Sequence, residues 1–381
     1  MSIKIKKAFI SSTPSALHVF MRNNIASCSK KFQVSLITNL IGIEILKDLN
    51  VKLIPIAIKR NPSLLSDFFL FFELSYFLKA GKYNLIHSIT PKAGFFSMII
   101  GSLCRIPIRV HTFTGQVWVN KKGLKRLFLK FCDKVTVFFA TDILVDSPSQ
   151  LTFLVKEGVL TNEKGRVIGH GSICGVDTKR FRPNASARIE IRKNLNIRSN
   201  DKIILFLGRL GTDKGILDLA KAFKSLLSEY NNIFLLIVGQ EENHTYKSLE
   251  NFFGDHMDHV RLQGFTNTPE KFMATADVFC LPSYREGFGQ VLIEAAASGL
   301  PSIASNIYGI TDAIEDKKSG ILIPVNNVSA LRKALLQVLL NKTLSTKMGK
   351  YARKRALKYF SSKFIASEMT NFYKNAFKSI H

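Results

Sequence analysis

The sequence predicts a two-unit α/β protein in which each unit is a doubly wound parallel sheet covered by helices. Three observations carry this. Short apolar runs alternate with stretches long enough for a helix. The alternation breaks once, near residues 181–200, and then restarts. At 381 residues the chain also exceeds the roughly 250 residues beyond which one hydrophobic core stops growing.

In chain order, the apolar runs of the first unit lie at 8–11, 34–38, 51–56, 85–88, 108–112 and 143–146. They are continuous rather than alternating, as expected of strands buried on both faces of a parallel sheet. The stretch 64–78 is apolar apart from Asp67 and Glu73, and no window holds 18 uncharged apolar residues, so it reads as an amphipathic or buried helix rather than a membrane span. Phe181-Arg182-Pro183-Asn184 is a turn signal, and the polar run to Asp201 contains no apolar strand. This places the domains at 1–183 and 184–358. The second unit's runs fall at 203–207, 234–238, 260–262, 278–281, 302–304 and 321–323, and a helical stretch from about 364 to 380, within a segment 359–381, is expected to pack back on the first domain.

With 46% hydrophobic and 22% charged residues, the chain has the composition of a folded globular protein. A formal net charge of +26 predicts attraction to an anionic partner, whether nucleic acid, an acidic membrane surface or a phosphate-rich ligand. The abundant Lys beside 30 Phe also fits a bias in base composition. A nucleic-acid binder would interleave clustered cations with aromatic residues or carry a known module. Neither is seen, so no nucleic-acid partner is expected. Cys28, Cys104, Cys132, Cys174 and Cys280 are scattered, with no C-x-x-C pair and no His at ligand spacing; this fits a reducing cytoplasm and no metal site. The basic N-terminus runs into a short strand and Pro14 without a signal peptide's apolar stretch.

The chemistry is concentrated in two glycine-bearing loops. SYREGFGQVLIEAAASGLP at 283–301 orders a strand end, a loop, a helix and a second strand. Gly287 and Gly289 allow close backbone approach, and the helix that follows aims its amides and positive dipole end at the same place, which suits a diphosphate. Glu294, one turn into that helix, can accept hydrogen bonds from the vicinal hydroxyls of a ribose; the plainer alternative is a solvated helix carboxylate. FLGRLGTDKGI at 206–216 likewise leaves a strand through glycines and sets Arg209 and Lys214 beside a helix start. His111 is read at the end of the run 108–112, either facing an inter-domain cleft or as a structural histidine. Leu124, Leu127, Phe128 and Phe131 fall on one face of a basic helix near 121–131, which reads either as a surface for anionic lipid or as a core-facing stripe.

Together these elements resemble the retaining GT-B glycosyltransferases of family 4, also called glycosyl transferase group 1. The resemblance rests on Gly208 to Gly215, on Glu286 and Glu294 with seven residues between them, and on Gly175-Val176-Asp177 with Phe181. It implies a GT-B fold, two Rossmann-like domains facing across a cleft, with an N-terminal acceptor domain and a C-terminal nucleotide-sugar domain. By resemblance, Arg209 and Lys214 hold the donor diphosphate and Glu294 the ribose. Glu286 and the backbone from Gly287 through Phe288, Gly289, Gln290 and Val291 to Leu292 then hold the donor sugar, which His111 also contacts.

The first unit is similar to a narrower branch acting on lipid-linked saccharides in bacterial surface-polysaccharide assembly. The matching segments are HSITPKAG at 87–94, FTGQVW at 113–118 and DSPSQ at 146–150. Many family members have a Gly-rich loop after the first strand, whereas this chain has Ser11 to Ala16; the acceptor contacts implied fall on Ser15, Lys92 and Gly94. The resemblance implies a retaining, metal-independent hexosyltransferase without cofactor. It would use a UDP-sugar, such as a UDP-N-acetylhexosamine, and an undecaprenyl-diphosphate-linked saccharide of O-antigen or capsule assembly. It would work peripherally on an anionic membrane, at the inner face of the cytoplasmic membrane. A UDP-sugar 2-epimerase on the same fold is the alternative enzyme.

Overall fold

The computed structural model describes residues 5–59, 63–242 and 244–378. Two compact units form, one from the residues up to Gly175 together with those from Ser362 onward, the other from Val176 to Ser361. Val176 and Phe181 are buried in the core of the second unit, so the chain enters that unit ahead of the turn at Phe181.

The first unit is a seven-stranded sheet of β1 (Lys6–Ile10), β2 (Gln33–Thr38), β3 (Lys52–Pro55), β4 (Leu85–Ser88), β5 (Ile108–Phe113), β6 (Asp142–Val145) and β7 (Gly165–Val167). The order is β3-β2-β1-β4-β5-β6-β7, and every pairing is parallel. Its helices are α1 (Pro14–Ala16), α2 (Arg22–Ser29), α3 (Leu64–Gly81), α4 (Pro91–Leu103), α5 (Gly123–Phe139) and α6 (Pro148–Lys156). Each strand run expected in this unit is present, with ends shifted by a residue or two. β7 is an additional strand, hidden in the sequence because Gly165 and Arg166 break its apolar character.

The second unit is a six-stranded parallel sheet of β8 (Lys202–Leu207), β9 (Ile233–Val238), β10 (Val260–Gln263), β11 (Val278–Leu281), β12 (Ser302–Ser305) and β13 (Gly320–Ile323), in the order β10-β9-β8-β11-β12-β13. It carries α7 (Ala185–Asn194), α8 (Ile216–Leu227), α9 (Thr245–Phe253), α10 (Pro269–Thr275), α11 (Gln290–Ala297), α12 (Ile310–Ala313), α13 (Val328–Leu340) and α14 (Lys342–Tyr359). The polar run after Asn184 is α7, whose buried Arg192 donates to Asp277 at 2.8 Å.

The terminal helix α15 (Ser362–Lys378) belongs to the first unit and packs on α2, burying Ile365, Met369, Phe372 and Tyr373. The expected end of this helix at residue 380 lies outside the described residues. Tyr373 joins a polar cluster inside the sheet. Its hydroxyl sits 2.6 Å from His87 Nδ1, and His87 Nε2 sits 2.7 Å from Thr112 Oγ1. Beside them Lys7 is fully buried, its Nζ 3.5 Å from Cys28 Sγ and over the rings of Phe9 and Tyr373.

Burial lowers the Lys7 pKa from 10.5 to about 7, with Cys28 acting the other way. Between those values the unfolded chain binds a proton that the folded chain does not, so this group makes stability rise with pH across that window. Lys7→Met is therefore expected to stabilise the protein at pH 7 by about 1–4 kcal/mol. The gain should shrink toward pH 10, as urea unfolding at the two pH values would show. A Lys7→Met protein no more stable at pH 7 would mean that the cation is solvated in place.

Two helices of the first unit turn apolar residues outward. α3 is neither amphipathic nor buried. Leu70, Leu74 and Leu78 face the core, while Leu64, Leu65, Phe68, Phe69, Phe72 and Tyr76 are exposed. In α5 the residues turned inward are Asp133, Thr136 and Val137, and the stripe of Leu124, Leu127, Phe128 and Phe131 faces out, which removes the core-facing reading.

Candidate active site

In the second unit the chain winds one way from β8 to β10 and the other way from β11 to β13, so β8 and β11 are neighbours at the switch point. Open α/β sheets bind ligands outside the carboxyl ends of the strands at this place. Both glycine-bearing loops leave these two strand ends. The first passes through Arg209 and the single turn Thr212–Lys214 to Gly215, which at φ +69° starts α8. The second runs from Pro282 to Gly289, whose φ of +70° turns the chain into α11.

The two loops are tied together. The Tyr284 amide donates to the Asp213 carbonyl at 2.9 Å, and the Tyr284 hydroxyl donates to Asp218 at 2.7 Å. Lys214 Nζ donates to Glu286 Oε1 at 2.6 Å, and Ser283 Oγ donates to the same oxygen at 2.9 Å. Arg285 lies 3.5 Å from Asp213. Lys214 and Glu286 are largely buried, whereas Arg209 is half-exposed and reaches Glu242, in the loop after β9, at 2.5 Å. Two cations and a carboxylate thus stand on the pair of strands where the topology reverses.

Glu294 lies one turn into α11, where its carboxylate is enclosed by protein while part of the residue stays open to solvent. Burial raises its pKa to about 7, against a hydrogen bond from Gln290 and the charge of Arg180, with Glu270 adding to the rise. The charges acting on it are those of Arg180 and Glu270; Arg209 and Lys214 act on the preceding loops. Among the neighbouring donor candidates, Phe288 and Leu292 put their side chains into the core, so they can offer only backbone, and the Leu292 amide already donates to the Gly289 carbonyl at 2.8 Å.

In the first unit the corresponding switch point lies between β1 and β4. There the Ser12 amide donates to Thr90 Oγ1 at 2.8 Å. Ser15 is exposed on α1, and Lys92 is paired with Asp67. Gly94 packs against the His111 ring so closely that a Cβ would overlap it. His111 is not at a strand end, because β5 continues to Phe113. It is buried, with Nδ1 2.9 Å from Ser88 Oγ, and burial lowers its pKa to about 3.

The segments at 113–118 and 146–150 meet under α5. Trp118 Nε1 donates to the buried Asp133 at 2.7 Å, the indole stacks on Phe153, and Gln150 donates to Gln116 at 3.1 Å. Burial pushes Asp133 up to about 7, with the Trp118 bond opposing the shift. These residues brace α5 against the sheet.

Residues 187–355 match the family of glycosyl transferases group 1, and that span contains both loops of the β8–β11 switch point. The match takes in most of the second unit, which thus carries a domain of this glycosyltransferase family. It is 29% identical over 325 residues to the capsular polysaccharide biosynthesis glycosyltransferase CapM of Staphylococcus aureus, covering 85% of each chain. It is 28% identical over 312 residues to the UDP-Gal:alpha-D-GlcNAc-diphosphoundecaprenol alpha-1,3-galactosyltransferase of Escherichia coli, covering 79% of this chain and 78% of the relative. Among solved structures, Anabaena HepE in complex with UDP superposes with a TM-score of 0.82 at 17% identity, over 97% of this chain and 100% of that one. That likeness is one of fold. The two parallel α/β units are those of the GT-B class.

The structure of this glycosyltransferase also brings to the switch point residues that sequence reasoning does not single out. Asp213 and Tyr284 hold the loops together, Glu242 meets Arg209, and Gly309 lies so close to the Gly287 carbonyl that a Cβ would overlap it. Asp213 and Tyr284 lie inside the two loop motifs. Glu242 and Gly309 carry no local signal, since only strand pairing brings their loops to the site.

Proposed function

We propose that this glycosyltransferase moves a sugar from a UDP-sugar, such as a UDP-N-acetylhexosamine, to an undecaprenyl-diphosphate-linked saccharide in capsule or O-antigen assembly. The anomeric configuration is retained, no metal ion is required, and the protein works at the inner face of the cytoplasmic membrane. The observation that carries the proposal is that Arg209, Lys214 and Glu286 stand on the two loops of the β8–β11 switch point, with Lys214 paired to Glu286 across them. The name of the Escherichia coli relative, which pairs a UDP-sugar with a diphosphoundecaprenol acceptor, supports the substrate classes.

In this reading Arg209 and Lys214 stabilise the charge that develops on the leaving diphosphate, usually the largest catalytic contribution. They supply the positive charge that a divalent ion supplies elsewhere, so transfer should persist in EDTA. Glu286 and the backbone from Gly287 onward hold the donor sugar. The bond from the anomeric carbon to UDP breaks as the acceptor oxygen bonds to the same face, and the acceptor proton passes to the departing phosphate. With its pKa held at about 3 and its ring in the interior, His111 is neutral and is not assigned a proton transfer. Ser15, Lys92 and the turn around Gly94 are assigned to the acceptor.

Glu294 gives the donor site a pH signature. Accepting two ribose hydroxyls favours the ionised carboxylate, whose pKa without ligand is about 7. UDP affinity should therefore rise as pH increases from 6 to 8 and then level off. Calorimetry on Glu294→Gln should show weaker binding, with only the residual pH slope of the UDP phosphate. The direct test of the proposal offers the protein a panel of UDP-sugars with short lipid-diphosphate saccharides and reads product mass, linkage and anomeric configuration. An inverted product, or a 2-epimerised sugar formed without acceptor, would overturn it.

A further inference from the structure

Three helices of the first unit, α3, α4 and α5, pack side by side and share one core. They connect β3 to β4, β4 to β5 and β5 to β6, crossovers that all run in the same direction along the sheet, so they cover the same face of it. The outer surface of this layer is apolar to an extent that folding does not explain. On α3, Leu64, Leu65, Phe68, Phe69, Phe72 and Tyr76 form one stripe and are each more than half exposed. Phe68 meets Phe69 at 6.0 Å and Phe72 at 4.9 Å along this outer surface. On α5 the outward stripe includes Leu124 and Phe131, 84% and 62% exposed.

A helix apolar all round is ordinarily buried in a core or in lipid, and contiguous exposed apolar surface of this kind marks an interaction site. The charges beside it select the partner. Lys121, Lys122, Lys125 and Lys134 are exposed at the α5 stripe and form no ion pair among the described residues. The acid groups of α3 are fewer, and Asp67 is already taken by Lys92. A second copy of the chain seated on this face through a two-fold axis would present the same patch, with the same excess of lysine over acid groups. No described helix is long and apolar enough to cross a membrane.

We infer that the α3–α5 face is a bilayer-docking surface for anionic lipid. The aromatic stripe of α3 inserts at the level of the acyl-chain boundary, and the lysines of α5 engage headgroup phosphates. This deepens the membrane placement proposed above and rests on that reading only for which membrane is meant. It assigns the larger part of the contact to α3.

The test is flotation of the full chain with vesicles of phosphatidylglycerol and phosphatidylcholine, or of phosphatidylcholine alone, with UDP binding measured on the same preparations. Wild type is expected to float with the anionic vesicles. Phe68→Ser/Phe69→Ser/Phe72→Ser, which alters only exposed side chains, should lower the partition coefficient at least tenfold with thermal stability unchanged. Lys121→Gln/Lys122→Gln/Lys125→Gln should remove the preference for the anionic lipid. Phe69→Trp should add emission that brominated lipid quenches, while the buried Trp118, the single tryptophan of the chain, stays unquenched. A serine variant that floats like wild type would overturn the inference, and so would a dimer dispersed by the serine variant in a protein that ignores vesicles. Wild type that binds UDP and not vesicles would sink this inference alone. Binding to vesicles and not to UDP would uphold it and sink the donor assignment.

Discussion

Lys214→Ala is expected to lower sugar transfer by about 10²–10³-fold, with Arg209→Ala close behind, because each removes a preorganised cation from the leaving diphosphate. The two side chains differ in what they give up to a ligand. Arg209 faces Glu242 in a pair exposed on both sides, of a kind worth about 1 kcal/mol or less, so a diphosphate can take over the guanidinium at little cost. Lys214 and Glu286 are far less exposed, and deleting the lysine leaves Glu286 with Ser283 as its hydrogen-bond donor. Part of the Lys214→Ala effect should therefore appear as lost stability, and thermal unfolding measured beside kcat/KM separates the two. Glu286→Gln keeps the shape of the loop and should spare UDP binding while reducing transfer, since its proposed partner is the sugar. Wild-type turnover in both alanine variants would refute the donor pocket.

The architecture is legible because parallel strands covered on both faces are nearly uninterrupted apolar runs. Val278–Leu281 and Leu85–Ser88 are readable to the residue, whereas β7, with Gly165 and Arg166, is not. The loops at Arg209 and Glu286 are visible because glycines at strand ends have few other uses. The bond from Arg209 to Glu242 is invisible, since nothing local links residues 33 positions apart until β9 pairs with β8. On α3 the discrepancy has a physical source. Asp67 and Glu73 read as marks of a solvated face, but Asp67 is bound to Lys92, and the side turned to solvent is made of leucine and aromatic rings. His111 reads as a strand end because Thr112 and Thr114 flank a single Phe there; the ladder to β6 continues through Phe113, which puts the imidazole in the interior.

Gly215→Ala should be damaging out of proportion to its size, although it removes no functional group. Gly215 has φ +69°, and a Cβ there would overlap the carbonyl oxygen of Pro282, which belongs to the other loop of the switch point. Gly42 offers a control in the first unit. Its φ of +81° is left-handed like that of Gly215, but nothing lies within 4 Å of where its Cβ would stand. Gly42→Ala should thus cost only the conformational penalty of roughly 1–2 kcal/mol. Gly215→Ala carries the same penalty plus a backbone overlap that can be relieved only by parting the two loops, for a total of about 3 kcal/mol or more. Parting them would separate Lys214 from Glu286 and strip Tyr284 from Asp213, so UDP binding should fall in Gly215→Ala and hold in Gly42→Ala. Urea unfolding and calorimetry on the pair would measure both effects, and equal losses in the two variants would show that contact between the loops is not what positions the cations.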